Sequence, residues 1–82
     1  MIVLGTELTF SGSSTLEAYG VSAAGNLILK FKSGDQAYVY TDLNLGRRFY
    51  EEVIQANESA GTWIYNNIRK PKAAFTTVPV EV

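Results

Sequence analysis

A change of hydrophobic period near Leu45 limits how this chain can fold more than any other feature. Before that residue, apolar and polar side chains alternate, which is typical of β-strands. After it, apolar residues recur every three to four positions, which is typical of an amphipathic helix. Because the whole chain has 82 residues, it can bury one modest core. The two periods together predict one α+β domain with helices packed on one face of a sheet.

Three strands are predicted in the first half of the chain. Residues 26–32 alternate between an apolar row and a row that contains two lysines, as in a half-buried strand. Ser33-Gly34-Asp35 predicts a turn in which the glycine can take a positive φ, and residues 36–41 predict the partner strand. Residues 15–21 predict a third strand, in which Gly20 marks a bulge or a close approach of another backbone. The expected sheet is a three-stranded antiparallel β-meander that terminal strands can extend.

The first predicted helix follows this meander. Leu45, Phe49 and Val53 recur at helical spacing and predict its buried stripe. Either Asp42 or Asn44 is suited to cap its N-terminus, because a short polar side chain can accept from the free N–H groups there.

A second, shorter helix is predicted from about residue 60 to residue 68. Ser59 stands at its N-cap position, and Trp63, Ile64 and Ile68 are spaced to share a buried face. Pro71 is expected to end it, because proline disfavours the helical conformation of the preceding residue.

The predicted elements divide the chain into three parts. Residues 1–12 form an N-terminal extension that can supply an extra strand, and residues 13–70 form the domain itself. Residues 71–82 are either an edge strand or a disordered tail, and the sequence leaves both alternatives open.

Five segments, in order and at matching spacing, resemble the pattern of one known family, the KTSC domain. They are Ser13-Ser14-Thr15-Leu16; the Phe-x-x-Gly strand end in Leu27–Gly34; Tyr38-Val39-Tyr40; Phe49–Ile54; and a closing set of Ala56, Ser59, Gly61, Ile64, Asn66, Ile68 and Arg69. The resemblance extends from about Ser13 to Arg69. The chain departs from the pattern at Leu43-Asn44, where the family often has Val-Pro before the helix.

The KTSC resemblance implies a function that composition does not. Domains of this family are small and bacterial, and they occur alone or at the C-terminus of some lysyl-tRNA synthetases. Membership would therefore imply binding of tRNA or other nucleic acid, for which RNA or a single strand is the expected partner.

Composition argues against catalysis and against a resident metal or cofactor. The chain has no cysteine and no histidine, the commonest metal ligand and general base. Glu51 and Glu52 are adjacent on the first helix, so their carboxylates diverge by about 100° and do not form an acid/base pair. The expectation is a non-enzymatic protein without a cofactor.

The expected location is the cytoplasm of a bacterium, or of a host if the protein is phage-encoded. The apolar start of the chain, Met1–Leu4, is shorter than the apolar segment of a signal peptide, and no stretch is long enough to span a membrane.

Candidate contacts for nucleic acid are basic or aromatic residues on predicted strands and after the second helix. Cations can bind phosphates and aromatic rings can stack on bases, although the same residues also suit a solvated surface or a core. With a net charge of −1, attraction of nucleic acid would have to be local. These candidates are Lys30, Lys32, Tyr38, Tyr40, Asn66, Arg69, Lys70 and Lys72.

A possible anion site is indicated at the start of the second helix. Ser59 can cap the helix and Gly61 would leave its first turn open to an anion, while Asn66 and Arg69 fall on neighbouring helical positions. The alternative is structural: Ser59 only caps, and Gly61 relieves a close contact.

Two functions remain open from the sequence. One is a small non-catalytic module that binds nucleic acid or tRNA. The other is a protein-interaction module, such as a small regulator or a phage-encoded inhibitor of a host protein, which would present a sheet edge or an apolar patch.

Overall fold

A computed structural model describes residues 1–81 as a five-stranded antiparallel sheet with two helices on one face and a small β-hairpin on the other. The strand order in the main sheet is β3-β4-β5-β6-β7, and β1 and β2 form the hairpin. The strands are β1 (Ile2–Val3), β2 (Thr6–Glu7), β3 (Thr9–Phe10), β4 (Leu16–Val21), β5 (Leu27–Phe31), β6 (Gln36–Tyr40) and β7 (Phe75–Pro79). The helices are α1 (Leu43–Phe49), which continues as a π-helix over Tyr50–Gln55, and α2 (Ala60–Ile64), which continues as a π-helix over Tyr65–Arg69.

The predicted α+β class and the meander are confirmed. Strands β4, β5 and β6 pair in sequence order, and terminal strands extend the sheet at both edges. The register shift in β4 lies between Leu16 and Ala18, at the start of the strand. The C-terminal segment forms a strand, because β7 returns from the helices and pairs along the whole of β6 from Gln36 to Tyr40.

The helices and the sheet enclose the main core. The predicted stripe of Leu45, Phe49 and Val53 is buried, as are the three apolar residues predicted for the second helix. Phe49 is completely buried between Tyr19 and Trp63, whose ring centroids lie 5.1 and 5.2 Å from its own in edge-to-face geometry. Aromatic pairs in this arrangement stabilise beyond their burial alone.

A second core lies on the opposite face of the sheet, where the sequence pattern indicated a solvated face. The N-terminal hairpin covers that face, and this core consists of Val3, Leu8, Ala18, Ile28, Ala37 and Val39. Because β5 is central and covered on both sides, four of its five residues are buried. An isolated bridge between Ile2 and Glu81 joins the hairpin to the end of the chain.

Glycines mark the closest approaches in the fold. A Cβ atom at Gly20 would lie 2.7 Å from Cδ2 of Leu8, so the close approach is made by a side chain of the covering segment, whereas the sequence predicted another backbone there. A Cβ atom at Gly46 would collide with the carbonyl oxygen of Gly25. Helix α1 can therefore pack against the backbone at Gly25 only because residue 46 is glycine. Gly34 does not use the positive φ that is open to a glycine in this turn.

Each helix begins with the expected kind of cap. The Asp42 side chain accepts from the backbone N–H of Asn44 (3.0 Å), and Ser59 Oγ accepts from the N–H of Thr62 (3.4 Å). At the far end of α2, Lys70 keeps helical torsions despite the proline that follows it. The chain instead turns at Lys72, whose φ is 58°. Within residues 1–81, no helix is both long and apolar enough to cross a membrane.

Candidate functional site

An open groove of about 460 Å³ lies where the β5–β6 turn, the start of β7 and the end of the second helix meet. Its walls are both aromatic and polar, and two cations lie beside them. The lining residues are Phe31, Ser33, Gly34, Gln36, Tyr38, Tyr40, Ile68, Arg69, Lys72, Ala73 and Phe75. We call this feature the aromatic groove.

Four aromatic rings from three adjacent strands form one wall of the aromatic groove. Tyr38 and Phe75 are stacked, with centroids 4.7 Å apart and planes inclined by 19°. Phe31 meets Tyr38 edge-on at 5.6 Å, and Tyr40 lies 5.9 Å from Phe75. Phe75 is 48% exposed, so part of its ring is open to solvent beside the stack. A ligand can therefore contact this ring without displacing the core.

The cations of the aromatic groove come from the end of the second helix. The guanidinium of Arg69 lies over the Phe31 ring, with Cζ 5.4 Å from the ring centroid, which limits where this long side chain can move. Lys72 lines the groove from the turn that follows. The structure thus brings Tyr38, Tyr40, Arg69 and Lys72, predicted separately, into one groove.

Within residues 1–81, ion pairing leaves the cations near the aromatic groove without carboxylate partners. Of the seven Lys and Arg residues, Lys30, Arg47 and Arg48 each pair with a glutamate. Among residues 1–81 the other four, Lys32, Arg69, Lys70 and Lys72, form no salt bridge, and the last three are exposed and lie within the four residues 69–72. The positive charge of a nearly neutral protein is therefore concentrated locally, which favours an anionic ligand at this end.

Tyr40 is the most deeply buried ring of the aromatic wall. Only 2% of the residue is exposed, and this burial, followed by the proximity of Tyr38, raises the pKa of its phenol to about 12. The positive charge of Arg69 acts on this pKa in the opposite direction. Tyr40 therefore remains a neutral hydroxyl at physiological pH.

Lys30 does not lie in an exposed row with Lys32, so the prediction of a half-buried strand with both lysines facing solvent is wrong for Lys30. Lys30 is 6% exposed, and its Nζ donates to Glu17 Oε1 at 3.1 Å and to the carbonyl oxygen of Phe31 at 2.7 Å. The hairpin buries this face of β5, so Lys30 neutralises a partly buried carboxylate instead of facing solvent. Lys32, beyond the end of β5, is exposed.

The closing motif of the second helix is divided between different surfaces. Asn66 borders a separate cleft with Glu52 and Asn67, so it does not converge with Arg69 on one ligand. The side-chain amide of Asn67 makes hydrogen bonds within the fold. Its oxygen accepts from Arg48 at 2.6 Å, and its nitrogen donates to the carbonyl of Trp63 at 2.9 Å.

Ser59 and Gly61 lie beside a polar cleft of about 630 Å³ that also includes the serine-rich loop of residues 11–15. Ser59 caps the helix, as its structural interpretation predicts. Around Gly61 the nearest atom to an added Cβ would be Ser59 Oγ at 3.9 Å, so this glycine relieves no close contact. Gly61 and Arg69 also border one small cleft of about 180 Å³.

Several residues of the aromatic groove were not identified from the sequence. The sequence leaves the segment of Phe75 open between a strand and a disordered tail, and it indicates only a turn for Ser33 and a strand for Gln36. An aromatic residue in a terminal strand would have been a usable signal, but only if the pairing of that strand with β6 were known.

Comparison of the chain with known protein families, curated proteins and solved structures yields no match. The likeness to the KTSC domain therefore depends on the five sequence segments alone.

Proposed function

We propose that this protein is a small, non-catalytic module that binds single-stranded nucleic acid, RNA in particular, in the aromatic groove. One base would stack on the Phe75 ring, and the adjoining phosphates would lie near Arg69 and Lys72. The observation that carries the proposal is the meeting of a stacked aromatic wall with cations that have no carboxylate partner in the described part of the chain, residues 1–81.

The chemistry of the groove matches that of a nucleotide in both of its parts. Stacking of a base on an aromatic side chain contributes about 1–3 kcal/mol and tolerates any base, because every base has a π-face. Arginine and lysine supply the charge that phosphates require, and Ser33 and Gln36 place hydrogen-bonding groups at the rim. The KTSC resemblance supports the same class of ligand.

Fluorescence anisotropy with a labelled single-stranded hexanucleotide of mixed sequence tests the proposal. We expect saturable binding at about 50 mM salt that weakens at about 200 mM, with a log–log slope near −1.4 if two phosphates are contacted. Phe75→Ala should weaken binding about tenfold, because it removes the stacking platform.

The matched control for Phe75→Ala is Phe10→Ala. Phe10 is 65% exposed and lies on β3, the opposite edge of the sheet from β7. Phe10→Ala removes an exposed ring of the same type without touching the groove, so this variant should bind the hexanucleotide with the affinity of the wild type. Absence of binding at low salt, or equal losses in the two variants, would contradict the proposal.

A second candidate function, protein binding, is favoured by one apolar stripe. Leu43, Tyr50 and Ile54 are 53%, 48% and 40% exposed and recur at positions that share a helical face. Affinity capture from a lysate before and after nuclease treatment separates the two candidates. A partner that remains after nuclease and is lost in Tyr50→Ala would favour the protein ligand.

A further inference from the structure

Lys72 occupies a backbone conformation that usually requires glycine. Its φ is 58°, in the left-handed region, where the Cβ of an L-residue is crowded. Two hydrogen bonds hold it there: its N–H donates to the carbonyl of Arg69 at 3.3 Å, and the N–H of Ala73 donates to that of Ile68 at 3.0 Å. This pair of bonds is a Schellman motif, in which the left-handed residue is most often glycine.

A glycine at this position would close the helix with less strain, but it would remove a side chain from the aromatic groove. Lys72 lines that groove together with Arg69, and neither cation has a carboxylate partner among residues 1–81. The turn also fixes where the Lys72 side chain begins, because both hydrogen bonds of the motif are accepted by carbonyls of the helix that carries Arg69. Strained residues of this kind are concentrated at sites where the side chain has a role.

We infer that Lys72 is a phosphate-contacting residue of the aromatic groove, retained at a glycine position at the expense of stability. Lys72 and Arg69 together form the cationic, phosphate-binding end of the groove, and the aromatic rings form its stacking wall. This inference rests on the proposed function for the identity of the natural ligand, but the anion site itself can be tested separately.

Three variants separate strain from charge. Lys72→Gly removes both, and we expect its melting temperature to rise by about 4–8 °C while hexanucleotide affinity falls about tenfold. Lys72→Gln keeps the strain and removes the charge, so affinity should fall without a rise in melting temperature. Leu4→Gly is the matched control, because Leu4 also has a positive φ (49°) but lies in the β1–β2 turn. It should gain stability and bind as the wild type does.

A second probe distinguishes failure of this inference from failure of the proposed function. Inorganic pyrophosphate titrated into the wild type should shift the amide resonances of Arg69, Lys70, Lys72 and Ala73, and these shifts should be lost in Lys72→Gln. If the hexanucleotide does not bind but pyrophosphate does so in this way, the proposed function is wrong and the anion site stands. If Lys72→Gly is no more stable than the wild type, or if Lys72→Gln binds both probes unchanged, the inference is overturned.

Discussion

Phe75 lies face to face with Tyr38, with ring centroids 4.7 Å apart, although β7 and β6 are separated in sequence by both helices. The two residues are diagonal neighbours across the β6–β7 ladder, in which Tyr38 is opposite Thr77 and Phe75 is opposite Tyr40. Pairing of the terminal strand therefore both completes the sheet and builds the stacking wall of the aromatic groove. The proposed binding function depends on this contact.

Replacing Tyr38 should affect binding through its ring and not through its hydroxyl. Tyr38→Phe keeps the stack and should bind the hexanucleotide as the wild type does, whereas Tyr38→Leu should bind about tenfold more weakly. Tyr50→Leu, which changes a 48% exposed tyrosine outside the groove, is the control. Circular dichroism confirms that each variant is folded, and equal affinities for Tyr38→Leu and Tyr50→Leu would contradict the role of the wall.

Phe49 should be the most sensitive position of the main core. Phe49→Ala leaves a cavity between Tyr19 and Trp63 and should reduce the free energy of unfolding by about 3–5 kcal/mol. Since a domain of this size has about 5 kcal/mol of stability, the variant should be largely unfolded at room temperature. Tyr50→Ala, at the neighbouring exposed position, should lose less than about 1 kcal/mol in urea denaturation. Similar losses at both positions would mean that the buried face of α1 is misplaced.

Substitution by alanine should lower the stability of the fold at Gly46 but not at Gly61. At Gly46 the new Cβ meets the Gly25 carbonyl oxygen and lies 3.3 Å from Cγ1 of Val21, so α1 must move away from the sheet. We expect Gly46→Ala to destabilise by about 1–3 kcal/mol. Gly61 has open space, so Gly61→Ala should leave stability unchanged or raise it by up to about 1 kcal/mol. Thermal melts of the two variants check this, and a larger loss at Gly61 would contradict the packing described.

Tyr40 should make the protein sensitive to alkali. Because burial raises the pKa of the folded-state phenol to about 12 from an ordinary value of 10.0, the folded protein retains this proton at pH values where the unfolded chain releases it. The resulting stabilisation is complete below about pH 10 and is lost as the pH rises from about 10 to about 12. Urea denaturation at several alkaline pH values should show a steeper decline for the wild type than for Tyr40→Phe. Identical declines would mean that Tyr40 is not buried as a neutral phenol.

The Lys30–Glu17 pair should act on stability and not on ligand binding. Glu17→Gln leaves the ammonium of Lys30, whose side chain is 7% exposed, without its counter-charge and should destabilise by about 1–3 kcal/mol. Adding Lys30→Met to Glu17→Gln removes the uncompensated charge and should recover part of this loss. Hexanucleotide affinity should be unchanged in the folded double variant. A clear loss of affinity in that variant would instead place Lys30 in the binding surface.

The helices could be predicted from the sequence because the information for them is local. The spacing of Leu45, Phe49 and Val53 defines a buried face without reference to the rest of the chain, and Asp42 and Ser59 act as caps within a few residues of themselves. These features depend only on neighbours in sequence, so pattern and chemistry suffice.

The second core could not be predicted in the same way. The alternation of β5 correctly separates its two faces, but whether Lys30 faces water depends on the N-terminal hairpin, which is remote in sequence. The aromatic groove likewise depends on contacts between segments that are remote in sequence. Tyr38, Arg69 and Lys72 were each identifiable by type, whereas their meeting depends on the return of β7 along β6, which brings in Phe75.

Amide NMR of the wild-type protein during titration with the mixed-sequence hexanucleotide, at about 50 mM salt, tests the central claim most directly. The account predicts saturable shifts that are concentrated on the lining segments of the aromatic groove: residues 33–36, residues 69–73 and the start of β7. It also predicts that the shifts diminish as salt is raised. Shifts centred on the Leu43, Tyr50 and Ile54 stripe, or no shifts at all, would contradict it.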